Sequence, residues 1–168
     1  SLLVKKFLLD SNIFIQAHRM HYPFDVFPSF WNKLIELSDK GLITSIDKVK
    51  KELCDNSTQD DLSVWCSQTM SDTFFQDSSS CIDKYAEIAV WTVGHPLYQQ
   101  NAKDEFLSTD LADPWLIAYA MKNDCVIVTH EISQPQRRSR IKIPEPCMHF
   151  GVSYITPIQM LRELNESF

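Results

Sequence analysis

Short, unbroken apolar runs alternate along the chain with longer stretches in which apolar residues recur every three or four positions, the pattern of strands alternating with helices. The first run, Phe7-Leu8-Leu9, follows Lys5-Lys6 and is closed by Asp10-Ser11-Asn12. It is too short for a helix and apolar throughout, so it reads as a strand buried on both faces of a parallel sheet. A short helix runs on through Gln16 and Ala17 until Pro23 breaks it. A second helix is predicted over about 28–40, with Phe30, Trp31, Leu34, Ile35 and Leu37 on its apolar side and Gly41 as its stop signal. Leu42-Ile43-Thr44-Ser45 predicts another parallel strand. Either Ser45 or Asp47 caps the following helix, whose core face is Ile46, Val49 and Leu53. Glu52 lies at the margin of that face and aims back toward the sheet end.

Residues 55–110 read as a helical insertion, with helices over about 60–70, 81–93 and 97–107 separated by Asp77-Ser78-Ser79-Ser80 and Gly94-His95-Pro96. The hydrophobic spacing of Trp65, Phe74, Phe75, Tyr85 and Trp91 assigns them to the core. Asp113-Pro114 then starts a helix that is apolar nearly all round, with Asp113 as the cap and Pro114 in the first turn. Cys125-Val126-Ile127-Val128-Thr129 is a second β-branched strand, and it too ends at an acid, His130-Glu131. The rest reads as a loop containing Pro135, Pro144 and Pro146, a last strand near 152–155, and a closing helix opened by the capping box Thr156-Pro157-Ile158-Gln159.

This alternation predicts an α/β fold, in which parallel strands joined by right-handed crossovers send all their carboxyl ends to one edge. Asp10, Glu52, Asp113 and Glu131 each fall at such an end or on a helix beside it, so the four can meet. Asp10 taken alone has a plainer reading, as the turn or cap residue of the next helix. Gathered together, like charges are costly unless a cation sits among them. Oxygen donors without a His/Cys pattern select Mg²⁺ or Mn²⁺ over zinc, and these ions serve phosphate chemistry.

Composition narrows the field. The chain has 168 residues, one ordinary domain's worth, and no run long enough to span a bilayer. There is no secretory pattern, Ser1-Leu2 reads as the trace of an added or trimmed segment, and the five cysteines are scattered without a C-x-x-C, so a reducing cytoplasm is expected. The net charge of −6 argues against holding nucleic acid by bulk attraction, although acids that bind a cation inflate that figure. Lys48, Lys50 and Lys51 read as a solvated face, whereas Arg137, Arg138 and Arg140, with Lys142, form a loop cluster whose fork geometry suits phosphates. A phospho-aspartate mechanism needs a second acid where Asn12 stands. A dinucleotide fold needs a glycine-rich turn, and none of the three glycines follows the first strand. His18 and His21 read as a surface pair.

Leu8-Leu9-Asp10-Ser11-Asn12, Val49-Lys50-Lys51-Glu52-Leu53, Asp113-Pro114-Trp115-Leu116-Ile117-Ala118-Tyr119-Ala120 and Val128-Thr129-His130-Glu131 resemble, in order, the four motifs of the PIN-domain nucleases. The last has Glu where that family more often has Asp. The stretches from Lys142 to Cys147 and on to Met160-Leu161 are similar to a bacterial PIN-like subgroup without an assigned role, related to toxin ribonucleases of the VapC type. The resemblance implies a three-layer α/β/α sandwich with a mostly parallel sheet, formed by one PIN-like domain over residues 1–168. It implies Mg²⁺- or Mn²⁺-dependent hydrolysis of single-stranded or structured RNA, with Asp10, Glu52 and Asp113 as principal metal-site acids and Glu131 assisting. Ser11, Asn12 and Thr129 would orient ligands or water, and Asp110 either adds a ligand or is a loop acid. Arg137, Arg138 and Arg140 would contact RNA. An antitoxin or helix-turn-helix regulator and a homodimer are implied as partners, with no membrane. The other reading it leaves open is a catalytically silent PIN-like module that binds RNA or protein.

Overall fold

The computed structural model describes residues 5–54 and 60–166. The first residues of the expected insertion, 55–59, lie outside these, as do Ser1 and Leu2. The order of elements is β1 (Phe7–Leu9), α1 (Ser11–Gln16), α2 (Pro28–Asp39), β2 (Ile43–Ile46), α3 (Asp47–Cys54), α4 (Asp61–Val64), β3 (Phe75–Gln76), α5 (Ile82–Gly94), α6 (Gln100–Phe106), α7 (Asp113–Asn123), β4 (Val126–Val128), α8 (Pro144–Phe150), β5 (Tyr154–Ile155) and α9 (Pro157–Glu163). The strands form one sheet in the order β3-β2-β1-β4-β5, and every pairing is parallel. Helices flank it, so the central strands are covered on both sides and can be apolar throughout: Leu8, Leu9, Ile127 and Val128 are fully buried.

The chain leaves β1 toward β2 on one side and reaches β4 on the other, which makes the β1–β4 boundary the switch point of the sheet. Hydrogen bonds with both neighbouring strands clamp the end of β1. Asp10 N donates to Val128 O (3.1 Å), and Ser45 Oγ donates to Leu9 O (2.8 Å). Beneath, Phe14 on α1 is fully buried against Trp65 and Phe74, with ring centroids 6.1 Å apart in each pair. The expected core aromatics divide: Trp65, Phe74 and Phe75 are buried, while Tyr85 and Trp91 are half-buried on α5.

Several boundaries differ from the sequence expectation. Ile46 ends β2 and does not begin α3, because the strand pairing through Ile46↔Gln76 holds it extended. Phe75–Gln76 is a strand inside the expected helical insertion, added to the sheet edge by pairing with β2. Pro144 and Pro146 lie in the first turn of α8, where a missing N–H costs nothing, and not in a loop. The helices after Gln16 and Val64 continue as π-helical turns, Ala17–His21 and Trp65–Thr69. The helix expected from 97 starts at Gln100, and Ala112, not Asp113, occupies the cap of α7. The capping box is present, with Gln159 N donating to Thr156 Oγ1 (3.2 Å) and Thr156 N to Gln159 Oε1 (2.9 Å).

Phe14→Ala leaves a cavity directly under the β1 edge and is expected to cost about 3–5 kcal/mol in urea unfolding. A loss below about 1 kcal/mol would contradict the packing described.

Candidate functional site

Asp10 follows the last residue of β1 and occupies the cap position of α1, yet its carboxylate makes no capping bond. The plain cap reading therefore fails at this residue. Its oxygens are held by hydroxyls: Thr129 Oγ1 donates to Oδ2 (3.1 Å) and Ser11 Oγ to Oδ1 (3.4 Å). Thr129 is presented by the end of β4, the neighbouring strand, and its Oγ1 also accepts from Glu131 N (3.1 Å), so one hydroxyl fixes both the strand-end acid and the turn into Glu131. Asp10, Ser11 and Thr129 are all buried.

Asp113 opens α7 and is buried, without serving as its cap. Glu52 reaches across from α3, where its Oε1 accepts from Ala112 N (2.6 Å) and so ties α3 to the start of α7. Glu131 is half-buried in the turn after β4. The four acids lie within one electrostatic neighbourhood. Burial, then the charge of Glu131 and that of Glu52, push the Asp10 carboxyl up to about 7, against the lowering effect of the Thr129 hydrogen bond. Burial first, then Asp10, Glu131 and Glu52, raise Asp113 well above the usual carboxylate range. Burial also raises Glu131, and Arg140 and Lys142 pull it back. Among the described residues, no three His, Cys, Asp or Glu side chains are drawn together closely enough to form a ready ion-holding group. The donor set is nevertheless all oxygen and excessively negative, the chemistry that a hard divalent cation satisfies.

The other expected residues divide. Asn12 lies on α1 beside a cavity shared with Glu131. Asp110 is exposed in the turn before α7 and lacks the burial of the other acids. Arg140 is near enough to lower both Asp113 and Glu131, whereas Arg137 is exposed and turned to Gln134 Oε1 (3.1 Å) and Ser139 Oγ (3.4 Å). Arg138 is exposed, and its carbonyl accepts from Gln99 N (3.0 Å). Sequence reasoning missed the part played by Ala112 N and by Cys147, whose buried thiol on α8 is raised by burial and also feels Asp113 and Glu131. A backbone donor has no sequence signal, and Cys147 was hidden in what read as a proline-rich loop.

A family model described as a domain of unknown function (DUF4411) matches residues 7–168. The chain belongs to this family. No curated protein matches the sequence. Two solved structures share the fold of this DUF4411 chain. A chain in the VapBC2 complex of Rickettsia felis, bound to a DNA fragment from the promoter, is 17% identical over 89% of this chain and 97% of that one, with a TM-score of 0.50. A chain in FitAB bound to an IR36 DNA fragment is 16% identical over 90% and 94%, with a TM-score of 0.54. At these identities the likeness establishes the fold alone, a PIN-like α/β sandwich. No helix among the described residues is long and apolar enough to cross a membrane.

The raised carboxyls set a pH dependence. Unfolded, Asp10 loses its proton near its ordinary value of 3.8; folded, it keeps the proton until about 7. Between these values the native state holds more protons, so stability is greatest below the window and falls as pH rises through it. Asp113 and Glu131 act with the same sign. In chelator-containing buffer, urea unfolding is expected to show a loss on the order of a few kcal/mol between about pH 4 and pH 8. Asp10→Asn should flatten that slope and unfold later than wild type at pH 8. An equal slope in both proteins would show that burial and the neighbouring acids do not raise the Asp10 carboxyl.

Proposed function

We propose that this DUF4411 protein is a divalent-metal-dependent endoribonuclease acting on single-stranded RNA, in the manner of a toxin held by an antitoxin. The observation that carries the reading is the buried Asp10 carboxylate, which caps nothing, is aligned by Thr129 and Ser11, and shares its electrostatic neighbourhood with Glu52, Asp113 and Glu131. A structural role would leave such a group to a cap or an ion pair. The neighbours of like fold are the VapBC2 and FitAB complexes, each bound to DNA, which supports an antitoxin partner with a DNA-binding function.

Asp10, Glu52 and Asp113 would hold Mg²⁺ or Mn²⁺, with Glu131 assisting at its edge. Bound there, the ion supplies water activation and neutralises charge on the scissile phosphate. The chain's own part is to position and to balance charge. Thr129 orients Asp10 and the turn to Glu131, Ala112 N orients Glu52, and Asn12, lining the same cavity as Glu131, would align water or substrate. Arg140, within reach of both Asp113 and Glu131, supplies positive charge for a phosphate beside the acids.

The second reading, a silent PIN-like module that binds RNA or protein, is favoured by the acids not being drawn into a ready ion-holding group. Asp10→Asn and Asp113→Asn are each expected to abolish Mn²⁺- or Mg²⁺-dependent cleavage of single-stranded RNA while the circular dichroism spectrum is retained. Thr129→Val, which frees Asp10 Oδ2, should weaken metal affinity or rate about 10–100-fold. Cleavage unchanged in both aspartate variants would remove the assigned site. Retained RNA affinity with no calorimetric metal binding would establish the silent module.

A further inference from the structure

Beside the acids lies a cavity of about 260 Å³ whose wall includes Asn12 and Glu131. Of the four acids Glu131 lines it directly, and Asn12, two residues after Asp10, lines it from α1. A second cavity, of about 250 Å³, is lined by Lys5, Cys125 and Ser153 at the strand beginnings, the edge away from the acids. We infer that the cavity at Asn12 and Glu131 is a nucleotide subsite of this enzyme, which takes the base and phosphate adjoining the scissile bond of single-stranded RNA and imposes a base preference. The inference rests on the nuclease reading and gives it a specificity pocket.

Besides His130, Glu131 and Ile132, two sets of side chains line the space, and they suit different parts of a nucleotide. Asn12 and Gln16 stand four residues apart on α1, so they share one face, and Gln134 adds a third carboxamide from the loop after β4. A carboxamide offers both donors and an acceptor. A phosphate has only acceptor oxygens and would leave the amide oxygens unmatched, whereas a base edge presents donors and acceptors side by side. Gln134 Oε1 accepts from Arg137 Nη1 (3.1 Å), which directs its amide protons elsewhere.

Arg140 and Lys142 form the cationic part. Ile141 and Ile143 between and after them are buried, and Arg140 and Lys142 both line the cavity. Arg140 Nε is 3.7 Å from the exposed Glu105 carboxylate, a contact weak enough to yield to a phosphate. The loop is held in place ahead of any ligand: Ser133 Oγ and Gln134 N donate to the two oxygens of Glu145 (2.8 and 2.9 Å). Ile132, 75% exposed at the cavity, offers apolar surface for a base face.

The test is equilibrium binding of fluorescein-labelled rA6, rC6, rG6 and rU6 by anisotropy, followed by cleavage of the same oligomers in Mn²⁺. Wild type is expected to favour one base by about tenfold. Gln16→Ala and Gln134→Ala should level the four affinities, and Lys142→Gln should weaken all four alike with a shallower salt dependence, each with an unchanged thermal melt. Equal affinity of wild type for the four oligomers, a base preference that survives in both amide variants, or binding of duplex DNA in place of RNA overturns the inference. A preference that levels in the variants, on RNA that Mn²⁺ leaves uncut, upholds the pocket and removes the nuclease reading instead.

Discussion

The burial of two carboxylates beside other acids is the constraint on which this structure turns. Asp10 and Asp113 are each buried, and Glu52 and Glu131 add to the negative potential around both. Removing an ionised carboxylate from water is expensive, and doing so beside others of the same sign is more so. The hydroxyls of Thr129 and Ser11 offset part of that cost at Asp10 and leave the like charge uncompensated. Two agents can relieve the rest, a proton at low pH or a cation at neutral pH. A fold that keeps such a cluster is stabilised by whichever it takes up, and the proposed function ties stability and metal affinity to one set of atoms.

The sheet supplies the geometry. With all strands parallel, β1 and β4 end side by side at the switch point, so Asp10 and Thr129 meet although 119 positions separate them. The helices bring in the rest: α3 delivers Glu52, α7 delivers Asp113, and the bond from Ala112 N to Glu52 locks the two deliveries together. Arg140, in the loop before α8, lowers both Asp113 and Glu131, and Lys142 lowers Glu131, so positive charge lies beside the acids.

Much of this was legible because burial and strand ends leave strong local signals. Phe7-Leu8-Leu9 before Asp10, Val126-Ile127-Val128 before Thr129, and the apolar α7 behind Asp113 each read as the elements found. What escaped depends on partners distant in sequence. Phe75–Gln76 is a strand only because β2 offers it an edge, and its neighbouring aromatics suit a helix core equally well. Pro144 and Pro146 look like loop residues until the first turn of α8 is seen to need no N–H from them. Ile46 carries no mark of whether the strand or the helix holds it. The cavity at Asn12 and Glu131 is built from α1 and a loop more than a hundred residues later, and no periodicity joins them.

Anomalous diffraction from crystals soaked in Mn²⁺ at neutral pH tests the central claim most directly, since it reads ion position and carboxylate convergence at once. The account predicts a manganese peak coordinated by Asp10 and Asp113 oxygens, with Glu52 or Glu131 drawn in, and no such peak in Asp10→Asn crystals. Manganese bound only elsewhere, or Asp10 and Asp113 directed to separate surroundings in the soaked protein, would contradict it.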